Sequence, residues 1–505
     1  MTALDLSSPV AVIGAGAMGA GIAQVAATAG HTVYVFDMSE EALDRGIGQI
    51  SKFLTKSVEK GKLDEAGKEA ILSRLHKVSD LKDLAPAKLV IEAIVENLDV
   101  KRKVFGELED ILSEDAILAS NTSSLSITEI GATLKRPENL VGMHFFNPAP
   151  IMKLVEVIRG LATGDNIADT VFDTSVAWGK KTVFAKSTPG FIVNRVARSY
   201  YGEALRVAQE GGADYATIDA CLREAGGFRM GPFELMDMIG NDVNFAVSNS
   251  VYNAYYQDPR FKPSLIQQEM VAAGRFGRKT GQGYYDYREG AEKPEPITAD
   301  SFPAPQKVTV LGDSILLEPL VDLAKDAGID LVYEEESPEI GFRIGDLLIT
   351  PTNGATATEM TILTGEPTVV FDLALDYKTC SRIAIAKADQ LTDIALEAAA
   401  GFFQALGKKV SIIDDCPGLV VMRTVATLAN EGGDAVYQGV ATPDAVDTAM
   451  QYGVNYPKGP MSWAQEVGLS LVVEVLDSLA VFYGEDRYRV SPFLRRAVIA
   501  EKDIV

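Results

Sequence analysis

Residues 10–37 read VAVIGAGAMGAGIAQVAATAGHTVYVFD, and this stretch decides the fold of the first part of the chain. Val10–Ile13 is a short apolar run suited to a buried strand. Gly14, Ala15, Gly16, Ala17, Met18 and Gly19 then form GxGxxG where that strand gives way to a helix. Small residues carry the helix to Gly30, and a second strand, HTVYVF, closes on Asp37. In such a unit the first glycine permits a tight turn. The second lets a pyrophosphate approach the backbone, and the third lets helix and strand pack closely. The pyrophosphate charge sits at the helix N-terminus. Asp37 lies 23 residues after Gly14, where an acid meets the ribose hydroxyls. A carboxylate there repels a 2′-phosphate, and no arginine follows in FDMSEE, so NAD is expected over NADP.

Beyond Asp37 the α/β rhythm continues. SEEALDRGIGQISKFLTKSVEK predicts a helix capped by Ser39 with acids in its first turn. KLVIEAIVE, AILASN and LVGMHFF are further strands, and alternation of this kind implies a mainly parallel, doubly wound sheet. This α/β Rossmann domain is assigned to residues 1–187. From 188 to 290 strand signals vanish and helices dominate, giving an all-α domain. GYYDYREGAEKPEPITADSFPAPQ reads as an exposed Pro-rich stretch, with the linker proper at 291–305. VTVLGD, DLVYEEE, DLLITPT, PTVVFDL and VSIID then restore strands over 306–413, and a second helical stretch fills 414–505.

The halves look related. PGFIVNR at 189–195 lines up with PGLVVMR at 417–423, an offset of 228 residues, and FRMGPFELMDMIG matches YPKGPMSWAQEVG. The second half has one glycine in VTVLGDSILLEP where the first has GxGxxG, and Met422 stands where the first has Asn194. It is expected to keep the shape and lack the chemistry: a degenerate α/β segment and a non-catalytic helical repeat. Two helical copies in one chain are expected to pack together by pseudo-twofold symmetry.

Composition bounds the partners. A chain of 505 residues suggests roughly three or four domains. The net charge of -23 argues against nucleic acid, since phosphate binding needs a basic field. Charged residues interrupt every apolar run, so no membrane span is expected. The N-terminus has no basic stretch before its apolar run and reads as a strand, not a leader. Three scattered cysteines (Cys221, Cys380, Cys416) suggest neither disulfides nor zinc, which fits a reducing cytoplasm. The only histidines are His31, His76 and His144. His31 begins the second strand and reads as structural; His76, in SRLHKVSD, reads as a solvated residue at a charged helix end.

LVGMHFFNPAPIMKLVEVI is the segment richest in chemistry. It predicts a strand with His144, a Pro-framed turn and a returning strand with Glu156. An imidazole whose other nitrogen is held by a carboxylate accepts protons well near neutral pH. From spacing alone, a core histidine bonded to a carbonyl is the favoured reading.

Taken with VIGAGAMGAGIAQVAATAGHTVYVFD, IEAIVENLDVKRKVF, ASNTSSLSI, STPGFIVNRV and GRKTGQGYYDY, this segment resembles the L-3-hydroxyacyl-CoA dehydrogenase family across residues 10–287. The duplicated tail is similar to the longer members, which act on 3-hydroxybutyryl-CoA and 3-hydroxyadipyl-CoA in aromatic catabolism, phenylacetate breakdown included. The resemblance implies an NAD-dependent enzyme with an acyl-CoA substrate, and it allows a homo-oligomer. It makes His144 the base, Glu156 its orienting partner, and Ser123 and Asn194 hydrogen-bond partners of the substrate oxygens, with Ser123 also near the nicotinamide. Glu96, Lys101, Asn147 and Lys279 are then cofactor contacts. Coenzyme A needs local cations; Lys52, Lys56 and Lys60 share a helix face, and Lys56 is the candidate, although an ordinary solvated face reads the same. Two rival readings remain: a β-hydroxyacid-type dehydrogenase, which uses a lysine and lacks the HFFNP…Glu segment, and a non-catalytic dinucleotide-binding protein on the same fold. An added hydratase domain is not expected, because the Rossmann motif opens at Val10.

Overall fold

A computed structural model describes residues 3–505 of the chain. It divides into two compact units. One comprises the chain up to Arg195 together with Gln438–Val454; the other comprises Val196–Tyr437 and Asn455–Val505.

The first unit is built on an eight-stranded sheet: β1 (Val10–Ile13), β2 (Val33–Phe36), β3 (Leu75–Val78), β4 (Leu89–Glu92), β5 (Ile117–Ser120), β6 (Leu140–Phe145), β7 (Leu154–Arg159) and β8 (Lys181–Lys186). Their order is β3-β2-β1-β4-β5-β6-β7-β8. Every pairing is parallel except β6 with β7. The central strands β1, β4 and β5 are buried along their whole length, as strands covered on both faces must be. The strand order reverses at β1, so the ends of β1 and β4 form the crevice where ligands bind in such sheets. The helix Glu40–Glu59 begins where the sequence places it, with Ser39 Oγ accepting the N–H of Ala42. Lys52, Lys56 and Lys60 are all exposed along it.

His76 departs from the expectation of a helix end: it lies on β3, paired in register with Tyr34 of β2, and is exposed there. An edge strand needs only one paired side, so LHKV can be charged outward and still complete the sheet. His31 is buried, with its Nδ1 at 3.0 Å from the Ser8 carbonyl and its ring against Trp178.

The second unit carries a seven-stranded mixed sheet: β9 (Lys307–Leu311), β10 (Asp330–Glu334), β11 (Gly341–Ile344), β12 (Leu347–Pro351), β13 (Thr368–Phe371), β14 (Arg382–Lys387) and β15 (Lys409–Ile412). The order is β10-β9-β11-β12-β13-β14-β15. β11 and β14 are additions to the strands legible in sequence; β11 runs antiparallel to both neighbours and β14 antiparallel to β13. In the same unit the helix Arg198–Gln209 packs along Val421–Tyr437. Ser199 Oγ donates to the Thr427 carbonyl at 3.4 Å, a contact between residues 228 apart in the sequence. Arg423, fully buried, binds Glu203 at 2.8 Å, Glu210 at 3.1 Å and the Tyr488 hydroxyl at 2.8 Å.

The compact units do not follow the linear partition of the sequence. The helix Pro443–Gly453, from the second helical stretch, belongs to the first unit and packs on β7 and β8. Reciprocally, Cys221–Ala225, which continues the Tyr215–Ala220 helix, packs in the second unit against β14; Arg382 of that strand pairs with Glu224 at 3.1 Å, and Leu375 N–H donates to Ala225 O at 2.8 Å. The stretch after Gly283 is exposed over most of its length, as its composition suggests, but it is held at its start and at Ala299. Tyr284 and Tyr285 are buried, each donating its N–H to Asp237 at 3.0 Å, and Ala299 N–H donates to Val410 O at 2.8 Å. Backbone hydrogen bonding thus straps the strip to its own unit despite its prolines. Among the described residues no helix is long and apolar enough to cross a membrane, and no cluster of His, Cys, Asp and Glu is set to hold a metal.

Candidate active site

The glycine motif sits at the crevice. Ile13 is in register with Phe36 on one side and Glu92 on the other, so Gly14 emerges between the ends of β2 and β4. Gly14 has φ 98°, and a Cβ there would lie 2.5 Å from the Ala93 carbonyl oxygen. A Cβ on Gly19 would lie 1.8 Å from the Gly14 oxygen, so close packing of helix on strand requires glycine there. At Gly16 a Cβ would meet nothing within 4 Å. The open space at Gly16 is room that a pyrophosphate would fit. The helix Ala17–Ala29 has no acid in its first turn to oppose an anion there. Asp37 Oδ2 accepts the Ala15 N–H at 2.8 Å and Oδ1 that of Ser39 at 2.9 Å, which ties the glycine loop to the end of β2. Met18 lies in the first turn of the helix.

Next along the crevice, Glu96 organises the turn after β5. Its Oε1 accepts from Thr122 Oγ1 (2.6 Å), Ser123 N–H (3.0 Å), Ser124 N–H (3.1 Å) and Ser124 Oγ (2.9 Å). Burial works to raise this carboxyl, but the Thr122 and Ser124 hydrogen bonds and the Lys101 charge outweigh it and hold it below the usual carboxylate range. Lys101 is only 1% exposed, with Nζ 2.5 Å from Glu92 Oε1 and 3.2 Å from Glu96 Oε2. It stands behind Glu96 and supports the turn that carries Ser123. Glu92, fully buried, also accepts from Ser120 Oγ at 2.7 Å. Glu92 is not among the residues singled out from the sequence, although an acid in the middle of the apolar run LVIEAIV is itself a signal that a buried cation stands opposite.

His144 and Glu156 are a directly opposed pair on the antiparallel strands β6 and β7. His144 Nδ1 donates to Glu156 Oε2 at 2.7 Å. A carboxylate only accepts, so the Nδ1 proton is held there and Nε2 is left as the basic nitrogen. His144 is 5% exposed and Glu156 is 0% exposed. Phe146 and Phe191 pack on the imidazole, with ring centroids at 4.5 and 5.8 Å. The other Glu156 oxygen, Oε1, accepts the N–H groups of Ile192 (3.0 Å) and Val193 (3.1 Å) and so starts the short helix Val193–Val196 that carries Asn194. Two further residues, unnoticed in the sequence, brace this segment. Asn121 Oδ1 accepts the Phe145 N–H at 2.8 Å. Lys180 Nζ, 8% exposed, donates to the carbonyls of Ala149 (2.5 Å) and Met152 (2.8 Å), fixing the turn that follows Asn147. Burial pulls the Lys180 ammonium down to about 8. Asn147 itself is exposed. Lys279 belongs to the other unit, where it pairs with Asp242 at 2.5 Å.

The 228-residue offset carries this constellation into the second half with its chemistry replaced. His144 falls on Asp372 and Glu156 on Ala384, and Asp372 N–H donates to Ala384 O at 3.0 Å. Asp372 takes over the capping role of Glu156, accepting the N–H groups of Val420 (3.0 Å), Val421 (2.7 Å) and Met422 (3.0 Å). Phe191 and Leu419 occupy the same offset and both adopt a left-handed backbone, φ 47° and 51°. That strain appears with and without the histidine, so it belongs to the capped turn and not to the chemistry.

Residues 9–188 match the family model described as 3-hydroxyacyl-CoA dehydrogenase, NAD binding domain. Residues 190–287 and 418–502 match its C-terminal domain, and 349–417 match a 3-hydroxybutyryl-CoA dehydrogenase reduced Rossmann-fold domain. The chain is 44% identical over 494 residues to 3-hydroxyadipyl-CoA dehydrogenase of Escherichia coli K12, covering 97% of this chain and 98% of that protein. It is 42% identical over 285 residues to the mitochondrial hydroxyacyl-coenzyme A dehydrogenase of Sus scrofa, covering 55% of this chain and 91% of that one. The crystal structure of 3-hydroxybutyryl-CoA dehydrogenase from Escherichia coli K12 superposes with a TM-score of 0.90 at 43% identity, covering 99% of both chains. With the family models spanning most of its length and a relative aligned from end to end, the chain belongs to the 3-hydroxyacyl-CoA dehydrogenase family.

Proposed function

We propose that this chain interconverts an (S)-3-hydroxyacyl-CoA and the 3-ketoacyl-CoA with His144 as its acid–base group. The observation that carries the assignment is the 2.7 Å bond from His144 Nδ1 to a fully buried carboxylate. The Gly14–Gly19 loop and Asp37 would hold NAD, which would supply the acceptor for the hydride that leaves C3 of the substrate. His144 Nε2 takes the proton from the 3-hydroxyl in oxidation and returns it to the ketone in reduction. Glu156 keeps Nδ1 protonated, fixes the ring plane and stabilises the imidazolium that forms. Ser123 and Asn194 orient the substrate oxygens; Glu96 places Ser123 and Glu156 places Asn194. The HFFNP…Glu segment, with His144 bonded to Glu156, favours this reading over a lysine-based mechanism, and the buried Lys101 and Lys180 are each engaged by neighbouring groups.

The finer reading is a short-chain or dicarboxylic acyl group, as the names of the full-length relatives suggest. It places the enzyme in the breakdown of acyl-CoA intermediates, phenylacetate catabolism among them, in the cytoplasm. We also read the second half as a duplicated copy without an active site, and Lys56 as a contact for coenzyme A phosphate. Kinetics with 3-hydroxybutyryl-CoA and 3-hydroxyadipyl-CoA test the substrate class. A kcat/KM for both that is below that for a long-chain 3-hydroxyacyl-CoA contradicts it.

A further inference from the structure

The helix Pro443–Gly453 comes from the second helical stretch, yet it lies on β7 and β8 of the sheet that carries His144. Its approach is anchored on both sides. Lys186 N–H donates to Val440 O at 3.0 Å, and Arg195 Nη1 donates to Gln438 Oε1 at 2.9 Å. The helix ends on Gly453, whose backbone is not left-handed, so conformational freedom does not explain the glycine. Space does. A Cβ at 453 would lie 2.6 Å from Leu154 Cδ2, 3.0 Å from Val193 Cγ2 and 3.7 Å from Phe146 Cε1.

Each of these three residues leads to the catalytic pair by a different route. Leu154 is two residues before Glu156 on β7, so both side chains project from the same face of the strand. Val193 gives its N–H to Glu156 Oε1. Phe146 packs its ring on His144. At the 228-residue offset the first helical stretch has Ala225 where the second has Gly453. Ala225 packs in the other unit, beside a strand that carries Ala384 in place of a glutamate. A methyl group is accommodated at the copy that has no His–Glu pair and is absent at the copy that abuts one.

We propose that Gly453 is a positioning residue for the His144–Glu156 pair, so that the second helical copy is a structural part of the first copy's active site. This rests on the assignment of that pair as the catalytic acid–base unit. The degenerate half then contributes more than its own folding, because its helix Pro443–Gly453 is the wall that holds Leu154, Val193 and Phe146 in place.

The test uses the full-length chain as Gly453→Ala, Gly453→Val and the double variant Gly453→Ala/Leu154→Val. The readouts are kcat and KM with acetoacetyl-CoA and NADH, and the ¹⁵N signals of the histidine rings, of which there are three. Displacement of a catalytic group by about 1 Å costs on the order of 100-fold, so Gly453→Val is expected to lose roughly 10- to 100-fold in kcat. KM for NADH stays unchanged and the His144 ring signals move, while those of His31 and His76 do not. Gly453→Ala loses less, and Leu154→Val restores most of that loss because valine lacks the Cδ atom in the way. Wild-type kcat and wild-type His144 signals in Gly453→Val overturn the proposal. So does a loss of kcat with unmoved His144 signals and no rescue by Leu154→Val, which is plain destabilisation. If the wild type shows no turnover dependent on His144 while Gly453→Val still moves the His144 signals, the packing relation stands and the assignment of the activity fails.

Discussion

Glu156 divides its two carboxylate oxygens between His144 and the backbone beyond the sheet: Oε2 accepts from His144 Nδ1 at 2.7 Å, Oε1 from the Ile192 and Val193 N–H groups at 3.0 and 3.1 Å. One buried acid therefore sets both the His144 ring and the helix that carries Asn194. Glu156→Gln keeps an oxygen for the two N–H groups but removes the charge beside the imidazole. A positioned acid–base group contributes about 10²- to 10⁴-fold, and loss of its partner is expected to lower kcat by roughly 10- to 100-fold. A wild-type kcat in Glu156→Gln contradicts the pairing.

We assign the preference for NAD to Asp37. Its oxygens already fasten Ala15 and Ser39, which aims the carboxylate region at the glycine loop. Hydrogen bonds to charged groups are worth about 1.5–3 kcal/mol. Asp37→Ser combined with Met38→Arg should therefore raise KM for NADH roughly 10- to 100-fold. The same variant should raise kcat/KM for NADPH relative to NADH. Steady-state kinetics with both nucleotides measure the ratio, and a ratio equal to that of the wild type would place the discrimination elsewhere.

Asp372, at the position of His144 in the second half, gives a stability signature. Burial pushes its carboxyl up to about 6, against the hydrogen bonds from Val421, Met422 and Val420 that work to lower it. The folded state then holds a proton there that the unfolded chain, titrating near 3.8, has released. Stability should fall from this group as pH rises from about 3.8 to about 6. Asp372→Asn should lack that component. Denaturant unfolding of both proteins across this window checks it; parallel pH curves would mean that Asp372 is ionised throughout.

Asn194 and Met422 occupy equivalent places with unequal consequences. Asn194→Ala should lower kcat/KM. Met422→Leu, a volume-conserving change that costs less than about 1.5 kcal/mol, should leave kcat unchanged. The reverse pattern in steady-state assays would move the active site to the second half.

Much of this architecture is legible in the amino-acid sequence. The glycine motif is readable because each of its parts acts locally, with a turn at Gly14, open space at Gly16 and contact at Gly19. The meeting of His144 and Glu156 is readable because a Pro-framed turn between two short strands leaves few ways to fold back. Other features depend on partners far away in sequence. Lys101 looks like a solvated helix charge until Glu92 and Glu96 are placed against it. Charged edges hide β3, and antiparallel insertions hide β11 and β14 from a reading tuned to parallel alternation. The exchange of helices, with Pro443–Gly453 on one sheet and Tyr215–Ala225 on the other, follows from packing between distant segments and leaves no local pattern.

The most direct test is NADH oxidation with acetoacetyl-CoA as substrate, comparing the wild type with His144→Ala. Removal of the base should lower kcat by about 10²- to 10⁴-fold, with NADH binding by direct titration unchanged. A variant that retains full turnover would contradict the assignment of His144 as the proton carrier.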